Sequence, residues 1–207
     1  GVKGKYLVTL SNGQTVEVDV ANDGATGSST LHVAAGENYE ATLSLDNSNY
    51  TTTATPVKFN VVKSDNAITI SSAGATYPDK TTITLTAQIA GTYNVKINDT
   101  LTHSFVVSTD GGSDSYEVLL DAKTYAPELA GYVDDNYVAV VTSNGFEVAK
   151  GTNTIALSSD GATYPNKATI KVEATVPDTY AVSINNVAYT VNVVVDSTGI
   201  GTTEILL

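Results

Sequence analysis

The stretch SSAGATYPDKTTITL, residues 71–85, returns almost unchanged as SSDGATYPNKATIKV at residues 158–172. The two copies lie 87 residues apart, and the same interval separates Tyr6, Tyr93 and Tyr180. The alignment needs no gap, so the chain holds two copies of an 87-residue unit and 33 residues of a third. An internal repeat of this length decides the fold, because each copy is expected to form the same structural unit.

Each copy alternates apolar and polar residues, which is the period of a half-buried β-strand. Residues 81–90 give the strongest signal, with one face made of Ile83, Leu85, Ala87 and Ile89. The next copy repeats this face as Ile170, Val172, Ala174 and Val176. Residues 66–72 place Ile68 and Ile70 inward in the same way. The repeated phase predicts which side of each strand is buried.

Two strands joined by a short turn are predicted three times, at residues 5–20, 91–108 and 179–195. In the first of these hairpins, Asn12-Gly13 is a favoured turn dipeptide. Further strands are expected at residues 116–122, 128–137 and 138–150, the last being two halves joined by a bulge at the sequence SNG.

Short strands, regular turn signals and the lack of an amphipathic helix predict an all-β chain of tandem immunoglobulin-like antiparallel β-sandwiches. The 87-residue copy is close to the size of one such sandwich. Residues 1–63 are predicted to be a partial repeat without its opening strands, residues 64–150 a complete repeat, and residues 151–207 a partial repeat without its closing strands. Modules in tandem predict an elongated molecule.

Composition narrows the classes of partner. The chain has 22 acidic and 10 basic residues, a net charge of −12, and no cluster of lysine or arginine. Nucleic acid and anionic membranes are therefore not expected as partners, because both bind basic surfaces. No apolar run is long enough to insert into a membrane. The chain has no cysteine, which excludes disulfides, thiolate catalysis and thiolate metal sites.

Several short motifs recur in the copies: TYP followed by a lysine and TI, then GTYNVKIN, then GYVDDNY followed by FEVAK. The earlier copy has the matching ending LSLDNSNY with FNVVK. With these motifs the chain resembles the prokaryotic immunoglobulin-like repeat domains of bacterial and archaeal surface adhesin-like proteins. The resemblance implies a non-enzymatic, extracellular stalk or spacer at the cell surface, and it transfers no catalytic residue.

No pattern in the sequence indicates a catalytic or cofactor-binding residue. His32 and His103 do not recur at the repeat interval, so they are interpreted as surface or edge residues rather than ligands or bases. Lys80 and Lys167 keep their position between copies, as do Lys63 and Lys150. We interpret these lysines as charges that protect strand edges. The alternative is a side-chain cross-link to an asparagine, which needs a buried carboxylate nearby.

Two acidic turns are candidate sites for a bound cation, although the chain is expected to have no cofactor. Residues 108–115 and 133–137 carry the oxygen ligands that Ca²⁺ prefers, although EF-hand spacing is absent. Asp134 and Asp135 become Asn47 and Ser48 in the earlier copy, so a solvated turn is the preferred interpretation and Ca²⁺ the alternative.

The recurrent tyrosines have two interpretations. Tyr77 with Tyr164, and Tyr93 with Tyr180, are expected to fill the ends of the sandwiches, because tyrosine tolerates burial with a wet hydroxyl. The alternative is an exposed aromatic strip that stacks on sugars, such as host or cell-surface glycans.

Two N-glycosylation sequons, at Asn49 and Asn98, are compatible with a surface protein.

Incomplete repeats predict open sheet edges, which are association sites. One hypothesis is a spacer in a tandem-repeat fibre or adhesin stalk, in which neighbouring repeats cover these edges. A second is a filament or pilus-like subunit that polymerises through β-strand complementation between copies. A third, given the least weight, is a carbohydrate-binding accessory module.

Overall fold

The computed structural model describes residues 1–45, 49–184 and 189–206. Within these ranges the chain is all-β, with strands and turns and no helix. It follows that the described residues contain no helix able to cross a membrane. The all-β prediction is therefore confirmed for the part of the chain that is described.

Two compact units divide the chain. The first comprises residues 1–75 and 79–148, and the second comprises residues 76–78 and 149–207.

The first unit begins with a four-stranded antiparallel sheet in the order β2-β1-β3-β4. Its strands are β1 (Gly4–Leu10), β2 (Thr15–Val20), β3 (Gly36–Leu45) and β4 (Val57–Val61). The predicted hairpin is confirmed, with Tyr6 opposite Val18. Its turn needs a glycine, because Gly13 has a φ of 86°, and the backbone N–H of Gln14 donates to Asn12 Oδ1 at 3.0 Å.

The rest of the first unit is a β-sandwich-like body. Its strands are β5 (Ser64–Ser72), β6 (Ala75–Thr76), β7 (Thr81–Ala87), β8 (Gly91–Lys96), β9 (Thr102–Val107), β10 (Ser113–Val118), β11 (Thr124–Tyr125), β12 (Glu128–Ala130), β13 (Tyr137–Ser143) and β14 (Phe146–Ala149). They form sheets in the orders β10-β7-β5-β13, β12-β8-β9 and β11-β14-β6.

One hydrophobic core joins these sheets. The predicted inward faces of β5 and β7 are confirmed, since Ile68, Ile70, Ile83, Leu85 and Ala87 are all buried. They pack with Tyr93, Val95, Ile97, Phe105 and Val107 from the hairpin β8–β9, and with Leu120, Tyr125, Phe146 and Val148 from residues 119–150. Ile89 lies beyond the end of β7 and is only partly buried, so the predicted face was one position too long.

Residues 128–150 differ from the prediction in three ways. Strands β13 and β14 are not halves of one bulged strand, because β13 pairs with β5 whereas β14 pairs with β11. The β13–β5 ladder is parallel, with Tyr137 opposite Ser64 and Ser143 opposite Ile70, so the sheet is not purely antiparallel. The predicted strand at residues 128–137 is also shorter, because β12 ends at Ala130.

The second unit contains β15 (Ile155–Ser159), β16 (Ala168–Ala174), β17 (Thr179–Ile184), β18 (Tyr189–Val194) and β19 (Ile200–Ile205). They form one sheet in the order β15-β16-β19 and the hairpin β17–β18. Its register follows that of the first unit: Tyr116 lies opposite Ile83, and Thr203 lies opposite Ile170, each position 87 residues later.

One hairpin departs from the gapless alignment. Tyr93 lies opposite Phe105, but Tyr180 lies opposite Val193, which is one residue later than the repeat interval gives. The interval would place Asn192 at the position of Phe105. The slip puts Val193 in the core instead, because a one-residue change of register exchanges the two faces of a strand.

Candidate functional site

The two histidines occupy different environments. His32 is exposed. His103 is partly buried and stacks on Tyr116, with ring centroids 3.6 Å apart. Neither histidine belongs to a group of three or more potential metal-binding side chains, because the described residues hold no such group.

The carboxylates of the acidic turns bind backbone amides. Asp110 Oδ1 accepts from the backbone N–H of Ala90 at 2.7 Å, and Asp134 Oδ1 accepts from those of Asn136 and Tyr137 at 2.7 and 3.0 Å. These are hydrogen-bonded turns of the type that aspartate commonly closes. The earlier-copy counterparts Asn47 and Ser48 lie outside the described residues.

The recurrent lysines are all exposed. Lys63 Nζ donates to the backbone carbonyl of Asp134 at 2.5 Å. The buried polar side chains among the described residues are Asn66 and Thr81, neither of which is a carboxylate. The cross-link alternative therefore lacks its buried acid within this part of the chain.

The packing interpretation was right for one tyrosine pair and wrong for the other. Tyr93 is buried and Tyr180 is partly buried, as expected for side chains at the end of a core. Tyr77 and Tyr164 are exposed, so they do not fill the sandwich ends. Both precede cis peptide bonds, to Pro78 and Pro165.

The two sequons lie in different settings. Asn98 is partly buried in the turn between β8 and β9, where its Oδ1 accepts from Thr100 N, Thr100 Oγ1 and Leu101 N at 2.9, 3.0 and 2.8 Å. Asn49 is exposed. Glycosylation of either residue remains a prediction.

A buried polar cluster that the sequence prediction missed centres on Asn66. Asn66 Nδ2 donates to the hydroxyls of Tyr93 and Tyr132 at 2.9 and 3.1 Å, and Oδ1 accepts from Ile89 N at 3.2 Å. The Tyr93 hydroxyl donates to the carbonyl of Ile89, and the two tyrosine rings stack at 5.7 Å. Every hydrogen-bonding group of the asparagine side chain thus has a partner, as burial requires.

The second unit repeats part of this cluster. Asn153 Nδ2 donates to Tyr180 Oη at 2.7 Å, Oδ1 accepts from Val176 N at 3.2 Å, and Tyr180 donates to the Val176 carbonyl at 2.5 Å. Here the asparagine is exposed, and no described residue takes the place of Tyr132. The tyrosine bond occurs a third time, from Tyr6 to the Val2 carbonyl at 2.7 Å.

The signal for this cluster was present in the sequence. Asn66 lies two residues before Ile68 and four before Ile70, so the strand period places it on the same inner face. Its counterpart Asn153 keeps the spacing to Tyr180. A polar residue in phase with a buried face predicts an internal hydrogen-bond network.

Burial raises the pKa of Tyr93, with a smaller opposing effect of the Asn66 hydrogen bond, and burial also raises the pKa of Tyr125. A raised phenol pKa favours the neutral side chain in the folded state, whereas an unfolded tyrosine ionises at about pH 10. The resulting stability is complete below that pH and is lost as the pH rises above it. We expect the free energy of unfolding, measured with urea, to decline above about pH 10 and to decline less steeply in Tyr93→Phe.

The exposed Tyr50 supplies the control for this prediction. Tyr50→Phe should keep the wild-type dependence on pH. If Tyr93→Phe and the wild type lose stability in parallel between pH 9 and 11, the buried phenol is not the cause.

An open strand edge is the second candidate site. Strand β15 pairs with β16 on one side, and among the described residues no strand pairs with its other side. Its apolar side chains are exposed: Ile155 is 52% and Leu157 is 59% accessible. The residues one repeat earlier, Ile68 and Ile70, are 1% and 0% accessible. The core of the second unit includes no side chain from β15.

No protein-family model matches this chain, and a comparison with curated proteins found no match.

Proposed function

We propose that this chain is a non-enzymatic structural segment: tandem immunoglobulin-like β-sandwich modules that act as a spacer in an extracellular surface fibre or adhesin stalk. The observation that carries the proposal is the shared register of β7–β10 and β16–β19 at the repeat interval. A repeated module sets length and stiffness by repetition, so it needs no catalytic residue. The acidic surface charge agrees with a spacer that does not bind nucleic acid or anionic membranes.

A filament subunit that polymerises by strand complementation is the second candidate. The open edge of β15 and the exposed Ile155 and Leu157 favour it, because a free apolar strand is a template for another strand. A carbohydrate-binding accessory module has less support, although Tyr77 and Tyr164 present exposed rings. Loss of glycan binding on replacing both tyrosines would favour this third function.

Small-angle scattering of the full chain tests the spacer function. A single compact body of this length would have a radius of gyration of about 17 Å. Modules arranged in a row should give a value well above that, with a maximum dimension that does not change on dilution. A compact value in a monomeric sample would contradict the spacer function.

A further inference from the structure

In the first unit, the strand equivalent to β15 is β5, and other residues of that unit cover it. In that unit β13 extends the sheet by pairing in parallel with β5, and the following residues Phe146 and Val148 join the same core as Ile68 and Ile70. A single continuous segment, residues 137–150, therefore supplies both the edge strand and part of the cover over the core. Among the described residues no such segment pairs with β15, and its Ile155 and Leu157 are exposed.

The chain carries a second copy of this segment. Residues 50–63 read YTTTATPVKFNVVK and align with YVAVVTSNGFEVAK at residues 137–150. The tyrosine, the phenylalanine and the final lysine coincide, so Phe59 takes the place of Phe146. The sequence therefore contains two copies of the segment that, in the first unit, forms an edge strand and then supplies a core phenylalanine.

Residues 50–63, which we call the donor segment, are held by a short edge ladder and by mostly exposed contacts. Residues 50–56 form no strand, and the following β4 is an edge strand with an irregular ladder to β3. Val57 and Phe59 are exposed, and Phe59 lines an open apolar groove with Val8 and Leu10. Release of this segment breaks a short ladder, which is interrupted by a bulge, and the stacking of Phe59 on Tyr39. It also breaks exposed polar contacts, namely the Lys58–Glu40 ion pair and the hydrogen bonds from Asn38 N to Asn60 Oδ1 and from Lys63 Nζ to the Asp134 carbonyl.

We propose that the open edge at residues 151–157, which include the first part of β15, binds the donor segment of a second copy of this chain, with residues 50–56 pairing in parallel with this edge and Phe59 covering Ile155 and Leu157. The β13–β5 ladder fixes the expected register. Val138 lies opposite Asp65 in that ladder, so Thr51 of one copy should lie opposite Thr152 of the other. The inference rests on the proposed array of repeat modules and adds a partner that joins copies end to end.

Side chains of β13 explain why a threonine-rich segment is acceptable here. Beyond its first three residues β13 is exposed along its length, so it pairs with β5 chiefly through its backbone. Backbone pairing tolerates many side chains on the solvent side, as in other cases of strand addition. The side chain that must match is the core phenylalanine, and the donor segment retains it.

Disulfide trapping tests the register directly, because the natural chain contains no cysteine. Thr51→Cys and Thr152→Cys are prepared as separate full-length chains, mixed, and oxidised with diamide. A covalent heterodimer can then arise only between copies. We expect this mixture to give a heterodimer as its main product, and a mixture of Thr51→Cys with Ser159→Cys to give several-fold less, because Ser159 lies at the far end of β15.

Leu157→Asp should abolish both trapping and the rise of mass with concentration in sedimentation velocity. Leu119→Asp is the matched control, since this leucine is also exposed but lies outside the proposed surface. Circular dichroism of each variant verifies that the chain remains folded. Equal trapping at Thr152 and Ser159, or unchanged association of Leu157→Asp, would overturn the proposal.

A peptide with the sequence of residues 137–150 tests whether a second copy or another molecule supplies the strand that pairs beside β15. We expect it to compete with the second copy and to reduce trapping. Binding of this peptide to a chain that never associates with itself would show that another source supplies the strand, and would overturn the second-copy proposal. If no heterodimer is trapped but scattering shows an extended chain, only the docking at β15 is rejected. If scattering shows a compact monomer, the spacer function is rejected.

Discussion

Ile68→Ala is expected to destabilise the first unit by about 2–5 kcal/mol, the usual cost of truncating a fully buried isoleucine. Ile68 is 1% accessible and belongs to the core that joins β5, β7 and the hairpin β8–β9. The substitution removes apolar contacts and leaves a cavity that close-packed neighbours cannot fill completely. Hydrogen exchange of the backbone amides in β5 and β7 measures the loss without assuming that the two units unfold together.

Ile155→Ala is the matched control, because the same residue type occupies the same repeat position with 52% accessibility. We expect it to change the stability of a dilute, monomeric chain by less than about 1 kcal/mol, as for most surface substitutions. Equal losses from the two substitutions would mean that Ile155 is buried in the isolated chain, which would also remove the basis for docking at β15.

Strand faces were predictable from the sequence because alternation shows which face of a strand is apolar and therefore suited to burial. The faces of β7 and β16 carry Ile83 with Leu85 and Ile170 with Val172, and all four side chains are buried. Hairpins were predictable for a similar reason, since turn dipeptides act locally. These signals depend only on residues that are adjacent in sequence.

The environment of β15 was not predictable, because its residues resemble those of β5 and yet have the opposite burial. Ile68 is covered by residues of the same unit that include Phe146, 78 residues further along the chain. The pattern within a strand shows which face is apolar, but it cannot show whether a segment distant in sequence buries that face. The parallel pairing of β13 with β5 was not predicted for a related reason. Most side chains of β13 are exposed, so its sequence does not indicate which strand it pairs with.

The buried Asn66 cluster lies between these cases. The strand period places Asn66 inward, but its partners Tyr93 and Tyr132 come from residues far away in the sequence. Thus the burial of Asn66 could be predicted, whereas the identity of its hydrogen-bond partners required the fold.

Asn66→Ala is expected to destabilise the first unit by roughly 3 kcal/mol, because it leaves polar groups of its neighbours without partners in the interior. The hydroxyl of Tyr132 and the backbone N–H of Ile89 both lose the asparagine as a partner. An unmade hydrogen bond costs more in a buried site than in water, since no solvent replaces it. Urea unfolding, monitored through hydrogen exchange of the backbone amides in β5 and β8, gives the change in the free energy of unfolding.

Asn153→Ala removes the equivalent hydrogen bonds of the second unit, where the asparagine is exposed and water can replace it. We therefore expect a loss of no more than about 0.5–1 kcal/mol. The difference between the two substitutions measures the effect of burial on one and the same interaction. If Asn153→Ala is as costly as Asn66→Ala, the second cluster is enclosed in solution, and the open edge of β15 beside it would have to be covered as well. Repeating the pair of measurements at high protein concentration distinguishes a cover supplied by the same chain from one supplied by a second copy.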